Sequence, residues 1–467
     1  MTADQTPLEM SEFDEEDDDP VPGGYLPLAN ELDEPMPALR EVPAQIASVD
    51  ADGKSLVQPA EDGGGDTVVI LDDPEGLAQK PAVLSTMAYA LAALFNGKRS
   101  AIEAAQAFND KYHQQVRPEQ ALELQKELDK ALFLQSRRFE RAFKKRLHTF
   151  LDNDVRAMTN AGVCYPAEPE ALKQTIHGFF TGPGGPGEIE KLPEVKRTTK
   201  ISNKLRGAII PHIDLRVGGA TYAHAYAEIL RHSQAEIFVI LGVAHANPGN
   251  ILYNVSTKNY DTPFGNVKTD MKLARRLQEA SGGDLVLAEL AHRTEFSVEF
   301  QAVLLAGLLA ERKRDFSIVP ILCGSVETFL AEDKNPLDSR QFKNFTKSLR
   351  DVLEDSGKKW CVLCSVDFSH VGPEYGHSTM IDERLLPAIK RGDMRLLKSA
   401  EKLDTRGFFD EIARTQNARH IDAVMSVLTM LEVVHGTAKK GKLLHYDQLF
   451  KKATHSACSY AAMAFET

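Results

Sequence analysis

Tryptophan occurs once in this 467-residue chain and cysteine five times. No apolar run reaches the ~18 residues that a helix needs to cross a bilayer. The first residues show no basic stretch followed by an apolar one, so no secretory signal is expected and a cytoplasmic location follows. The cysteines (Cys164, Cys323, Cys361, Cys364 and Cys458) are odd in number and widely scattered. That pattern excludes a disulfide framework and predicts reduced thiols. Cys361 and Cys364 form a CxxC, but within the apolar, strand-like run Trp360–Val366, where residues three apart point to opposite faces. Two core cysteines are expected there, not a zinc or redox pair. GxSxG, P-loop, GxGxxG and HExxH motifs are also missing, which argues against several large enzyme classes. No internal repeat is present.

The net charge of −12 is localised. Residues 1–45 hold thirteen Asp or Glu against one Arg, so the other residues are neutral overall. A neutral folded part has no basic field for nucleic acid, and neither nucleic acid nor membrane is expected as a partner. Residues 1–65 combine the acidic run Asp14–Asp19 with several prolines and Gly63-Gly64-Gly65, and have little to bury. Disorder is expected, with an acidic docking tail as the alternative.

At roughly 150 residues per domain the chain has room for two or three. Residues 66–150 begin with the strand-like Thr67–Leu71. Helical spacing follows over Leu84–Phe95, Ser100–Phe108, Arg117–Leu132 and Ser136–Leu151. A small winged-helix-like or helical adaptor module is expected. Leu94–Ser100 (LFNGKRS) and Glu127–Ser136 (ELDKALFLQS) resemble the PqqD-like peptide-recognition fold.

Residues 155–467 form the third unit, in which apolar runs alternate with amphipathic helices. Strands are expected at Gly207–Ile210, Ile237–Leu241, Ile251–Ser256, Phe316–Leu322, Cys361–Val366, Leu443–Tyr446 and Ser459–Phe465. Helices are expected at Ala220–His232, Met271–Ser281, Val298–Ala310, Gln341–Glu354, Ile381–Lys390 and Ile421–Val434. Such alternation predicts an α/β fold, a largely parallel central sheet with helices on both faces.

Sites in these sheets lie at the carboxyl ends of strands. Three predicted strands each deliver a histidine there: Pro211-His212, Gly242-Val243-Ala244-His245, and Asp367-Phe368-Ser369-His370. One such histidine is usually a satisfied polar residue. Three in one topological place, with a carboxylate, suggest a metal pocket. His224 reads as a packing or surface histidine. Gly218-Gly219 reads either as a backbone anion site or as a turn. His455–Cys458 is too isolated to assign.

These residues also carry a family likeness. The segments AIIPHID, FVILGVAHANP, YDTPFGNVKTD, FSIVPILCGS, SVDFSHVGPEYG and SYAAMAFE occur in the order and spacing of the Memo family, after Gly162–Pro166 as its opening GxxY segment. The chain from residue 155 onward resembles that family, in particular protein B of the AmmeMemoRadiSam system. The resemblance implies the fold of class III extradiol dioxygenase catalytic subunits, which use Fe(II) to open catechol rings, and the company of a radical-SAM protein. By the family pattern, His212 and His245 correspond to two metal ligands, while Asp367 and His370 correspond to pocket residues. Asn247, Glu299, Arg419 and His420 fall in the same pocket.

The family's third ligand is a cysteine in a CGRH-like segment. This chain has Asn417-Ala418-Arg419-His420 there, and an amide oxygen is a far weaker ligand than thiolate. Phe296 replaces a histidine of the family's EHSxExQ segment, and His292, four residues earlier, is one candidate to compensate. Asp367 or Glu299 could complete a two-histidine site. Three readings follow. The first is a metal-dependent redox enzyme, iron before copper or zinc, acting on a small molecule or peptide with His370 as acid/base. The second is a non-catalytic binding module using the same cleft. The third is a metal-assisted hydrolase.

Overall fold

The computed structural model describes residues 31–42, 44–49, 55–56, 66–73, 77–78, 80–191, 204–247, 249–311 and 313–467. The chain divides into two units, Met1–Arg146 and Leu147–Thr467.

In the first unit, β1 (Ala44–Val49), β2 (Ser55–Leu56), β3 (Asp66–Leu71) and β4 (Ala82–Ser85) form an antiparallel sheet in the order β2-β1-β3-β4. Three helices follow, α1 (Thr86–Ala92), α2 (Ala101–Tyr112) and α3 (Pro118–Lys130). Ser100 and Glu103 close a capping box on α2, and Pro118 opens α3, where a missing N–H costs nothing. Met36, Leu91, Phe95, Phe108, Leu128 and Phe133 share the core. The expectation of disorder over residues 1–65 fails where that segment is described. β1 pairs with β3 along its whole length, Met36 is buried, and Arg40 makes a buried ion pair with Asp73 at 2.8 Å. The acidic charge lies mostly before residue 20, whereas Ala44–Val49 (AQIASV) carries none, so the segment's average composition concealed a strand. The acidic run Asp14–Asp19 and the triplet Gly63–Gly65 lie outside the described residues. Helix α4 (Arg137–Asp152) runs across the division.

The second unit contributes β5 (Val155–Arg156), β6 (Leu205–Ile210), β7 (Ile237–Val243), β8 (Tyr253–Val255), β9 (Asn259–Tyr260), β10 (Ser317–Cys323), β11 (Trp360–Ser365), β12 (His370–Val371), β13 (Lys440–Lys451) and β14 (Ser456–Glu466). Its helices are α5 (Pro169–Thr181), α6 (Leu215–His232), α7 (Met271–Ser281), α8 (Leu285–His292), α9 (Phe296–Glu311), α10 (Glu327–Ala331), α11 (Arg340–Asp355), α12 (Leu386–Glu401), α13 (Thr405–Arg414) and α14 (Val424–Val434). An eight-stranded sheet has the order β12-β14-β6-β11-β7-β10-β8, with β13 on β14. Strands β6, β11, β7 and β10 are parallel neighbours, and β7, β10 and β11 are apolar and buried almost throughout. The outer strands are antiparallel, so the parallel centre lies within a mixed sheet. Residues 452–455 are too few for a crossover, and β13 and β14 can only form a hairpin.

Helices cover both faces. One core gathers side chains of α7, α11, α13 and α14 and contains Cys364; the other gathers α5, α6 and α9 and contains Cys361. The two cysteines of the CxxC therefore face opposite ways, as strand geometry requires. α7 falls on its predicted residues, but α12 begins at Leu386, with Pro387 in its first turn, and not at Ile381. Gly218 and Gly219 form neither a turn nor an anion site. Both lie inside α6, where a Cβ on Gly219 would meet the Phe179 ring at 2.3 Å and one on Gly218 would meet Ile213 at 2.7 Å. Among the described residues no helix is long and apolar enough to cross a membrane.

Candidate metal centre

The carboxyl ends of β6 and β7 place two imidazoles side by side. The His212 and His245 rings lie 5.1 Å apart, and Phe296 covers both, at 5.3 Å and 4.8 Å between ring centres. His212 Nδ1 is 3.0 Å from the Ser365 carbonyl oxygen. His245 Nδ1 is 3.0 and 3.1 Å from the Glu295 carboxylate oxygens. Those oxygens can only accept, so each Nδ1 donates, and in the neutral ring each Nε2 keeps its lone pair. Both Nε2 atoms face Asp422 Oδ2, at 3.3 Å from His212 and 3.7 Å from His245. The other oxygen, Asp422 Oδ1, is buried without a hydrogen-bond partner. His212, His245 and Asp422 thus form a group able to hold an ion.

The electrostatics are those of a compact charged cluster. Burial opposes protonation of His245, but the Asp422 and Glu295 carboxylates outweigh it and push its pKa up to about 10. His212 is raised as well, against burial, chiefly by Asp367 and then by Asp422. Burial alone would raise Asp422, yet the histidines hold it well below the usual carboxylate range. Glu295 is lowered mainly by His245.

Asp367 and His370, at the end of β11, fall in a second group with Cys458. Asp367 Oδ1 accepts from the His212 backbone N–H at 3.1 Å, and its Oδ2 stands 3.8 Å from His212 Nε2. Burial raises the Asp367 carboxyl above its ordinary value. Arg419 points away, with Nε donating to Ser369 Oγ at 2.9 Å. His420 offers its carbonyl to His370 Nδ1 at 3.2 Å and shares with Asp422 the lining of a cavity of about 180 Å³. Val243, Ala244, Val326 and Glu327 complete most of that lining. A larger open groove of about 980 Å³, by Phe342, Arg350 and Glu432, contains none of these groups.

Several expected pocket residues have other duties. Glu299 is fully buried and ion-paired to Arg156, accepting also from Tyr165 OH at 2.6 Å and Asn160 N–H at 2.9 Å. Its neighbour one helical turn earlier, Glu295, is the carboxylate at the histidines. His292 does not replace the lost family histidine: its ring lies between Tyr260 OH at 2.7 Å and the Asn254 carbonyl at 2.9 Å. Asn247 folds back on its own loop, bonding both the N–H and the carbonyl of Ile251. Asn417 does the same with Ile421 and also donates to Glu327 at 2.8 Å. Its amide therefore serves the loop and does not stand in for a ligand. Asn417→Cys should leave metal affinity unchanged in a metal titration, and should lower stability by about 1–3 kcal/mol in denaturant unfolding.

The carboxylate that does face the histidines, Asp422, was hidden by reading Ile421 as the start of a helix. α14 begins at Val424. The available signal was a lone acid at the head of an otherwise uncharged, mostly apolar run, Ile421–Leu431.

A sequence profile for Memo-like protein matches residues 156–464, about two thirds of the chain and nearly all of the unit that carries this site. The chain belongs to the Memo family. A MEMO1 family protein of Aquifex aeolicus (strain VF5) is 28% identical over 405 residues, 86% of this chain and 96% of its own. That match is longer than the second unit, so the likeness extends into the first. MEMO1 family proteins of Pyrococcus furiosus and Thermococcus kodakarensis are each 28% identical, over 315 and 317 residues. These stretches make up 98% and 99% of the relatives but 66% and 67% of this Memo protein.

Proposed function

We propose that this Memo protein holds a metal ion through His212 Nε2, His245 Nε2 and Asp422 Oδ2, and uses it in redox chemistry on a small molecule. The observation that carries the reading is the fixing of both imidazoles by their Nδ1 hydrogen bonds. A carbonyl behind one ligand and a carboxylate behind the other are the outer contacts that orient metal-binding histidines. The orphaned Asp422 Oδ1 fits the same reading, as a buried polar atom otherwise without a partner. Two imidazoles and a carboxylate are the facial donor set of non-haem Fe(II) sites, and a carboxylate as third donor, with no thiolate in the set, favours iron over the softer copper(I), with zinc next. Such an ion, when bound, supplies redox or Lewis-acid chemistry at positions left open towards the cavity.

The protein's own groups do the rest. Phe296 packs against both imidazoles and leaves His245 partly open to solvent. His370, with Nδ1 committed to the His420 carbonyl, has Nε2 available to accept and return a proton. The cavity of about 180 Å³ resembles in size the ~150 Å³ engineered cavity that takes up benzene, so it suits a small molecule or one side chain of a peptide.

The test is metal content after anaerobic purification and reconstitution with iron, copper and zinc. At least one equivalent of metal is expected in the wild type, and loss of one equivalent in His212→Ala and His245→Ala. A wild type without bound metal would overturn the reading.

The pH dependence has a definite sign. In the ion-free protein His245 titrates near 10 in place of the usual ~6.5, so its stabilising charge is complete below about pH 6.5 and lost as pH rises through about 10. An ion needs that ring neutral, and binding displaces its proton. From pH 7 to 9 the ion-free protein should melt lower, while metal affinity rises by about tenfold per pH unit for each proton displaced. Parallel trends in the two measurements would contradict the assignment.

A further inference from the structure

The geometry points to a second cation site, formed by Asp367, His370 and Cys458 and suited to zinc, beside the first. The three side chains offer one atom each (Oδ2, a ring nitrogen and Sγ), and these atoms all lie within 4.8 Å of one another. None of the three belongs to the His212–His245–Asp422 group. Asp367 forms a wall between the two groups, with Oδ1 committed to the His212 N–H while Oδ2 lies 4.0 Å from Cys458 Sγ.

The frame is rigid. His370 and Cys458 are direct partners in the antiparallel pairing of β12 with β14, which puts their side chains on one face. Phe368 N–H donates to the Ser459 carbonyl at 2.8 Å, and Ser459 N–H returns a bond to the Ser369 carbonyl at 2.9 Å. Below them the buried Asp393 accepts from Ser369 and Ser459, each at 2.6 Å, and from Tyr446 at 2.9 Å. His370 Nδ1 is held by the His420 carbonyl and its ring edge by Tyr375 at 5.0 Å, which directs Nε2 as the free nitrogen.

The donor chemistry selects the ion. Thiolate, imidazole and carboxylate are all ligands of zinc, and three protein ligands with a fourth position open is the arrangement of catalytic zinc sites. Asp367 is 2% exposed and Cys458 4%. A coordinated ion is what deprotonates a thiol outright, so Cys458 would bind as thiolate. Without an ion, Cys458 has only weak contacts, to Asp367 and to the Ser459 carbonyl at 3.9 Å. The assignment uses donors separate from those of the first ion and does not require that ion; with the second ion bound, His370 is a ligand and no longer the acid/base.

Cobalt(II) titration of the full chain, anaerobic and with thiols reduced, tests it. Only the second site contains sulfur, so only it can give a thiolate-to-cobalt charge-transfer band. We expect two equivalents of cobalt, with the band. Cys458→Ser should abolish the band and one equivalent, and His370→Gln should do the same if the serine variant folds poorly. His212→Ala should keep the band. A single equivalent without the band, or unchanged cobalt binding in both variants, would sink the second site and leave the first intact. No cobalt at all would overturn both.

Discussion

Glu299→Ala should lower the stability of the Memo unit by about 3–5 kcal/mol, the range for removing one partner of a buried ion pair. Glu299 and Arg156 both have fully buried side chains. Arg156 also donates to the His292 carbonyl at 3.0 Å and the Glu295 carbonyl at 2.8 Å. Removing the carboxylate strands a guanidinium that has no route to water. A domain of ordinary stability, about 5–15 kcal/mol, would lose a large fraction of it. Urea unfolding followed by circular dichroism measures the effect. The double variant Arg156→Met with Glu299→Leu should recover most of the loss, because an apolar pair of similar volume is often tolerated. A loss below ~1 kcal/mol in the single variant would show that water or another group satisfies Arg156. The same ion pair anchors the backbone that presents Glu295 to His245, so weaker metal binding should accompany the lower stability.

Asp422→Ala should reduce metal affinity beyond the about 10–100-fold typical of altering a group behind a ligand. The reason is twofold. The variant loses a ligand oxygen, and it leaves His212 and His245 without the anion that both face. Asp367→Ala is the informative comparison. If Asp422 is the ligand, Asp367→Ala should cost the first site far less, since Asp367 Oδ2 is farther from His212 Nε2, at 3.8 Å. Calorimetric titration with ferrous ion, in a Cys458→Ser background that removes the second site, reads both. Equal losses would mean that the two carboxylates share one ion, and a larger loss for Asp367 would return the ligand role to it.

These residues differ in how legible they were beforehand. His212, His245 and Asp367 follow buried β-runs, and the rule that sites lie at carboxyl ends of parallel strands needs only a strand and its direction. Asp422 follows a loop in which Gln416, Asn417 and His420 all adopt left-handed conformations. Glutamine gives no sequence signal for that backbone, and asparagine and histidine only a weak enrichment, so the loop's path was unreadable. Glu295 and Glu299 differ by one helical turn, and nothing local says which meets a histidine and which an arginine. The partner arginine, Arg156, lies more than a hundred residues upstream. The hairpin of β13 and β14 was legible as two strands. Its antiparallel sense rested on a short connection that a list of apolar runs does not weigh. In the first unit the charge of the leading residues masked β1 for a similar reason, because averages over a window erase a six-residue element.

The placement of β14 has a consequence for the order of events during synthesis. Met463 pairs with Ile209, and on the other side of the same strand Cys458 pairs with His370. The strand carrying His212 is thus made early but cannot be flanked on that side until nearly the whole Memo unit has emerged. Such distant pairing is slow, because the intervening loop must close before any contact rewards it. Strand β11 lies between β6 and β7, so His212 and His245 meet only once Trp360–Ser365 has emerged, with Asp422 and Cys458 still to come. Tight ion capture is therefore a late step, following sheet closure, and an ion met too early finds half a site.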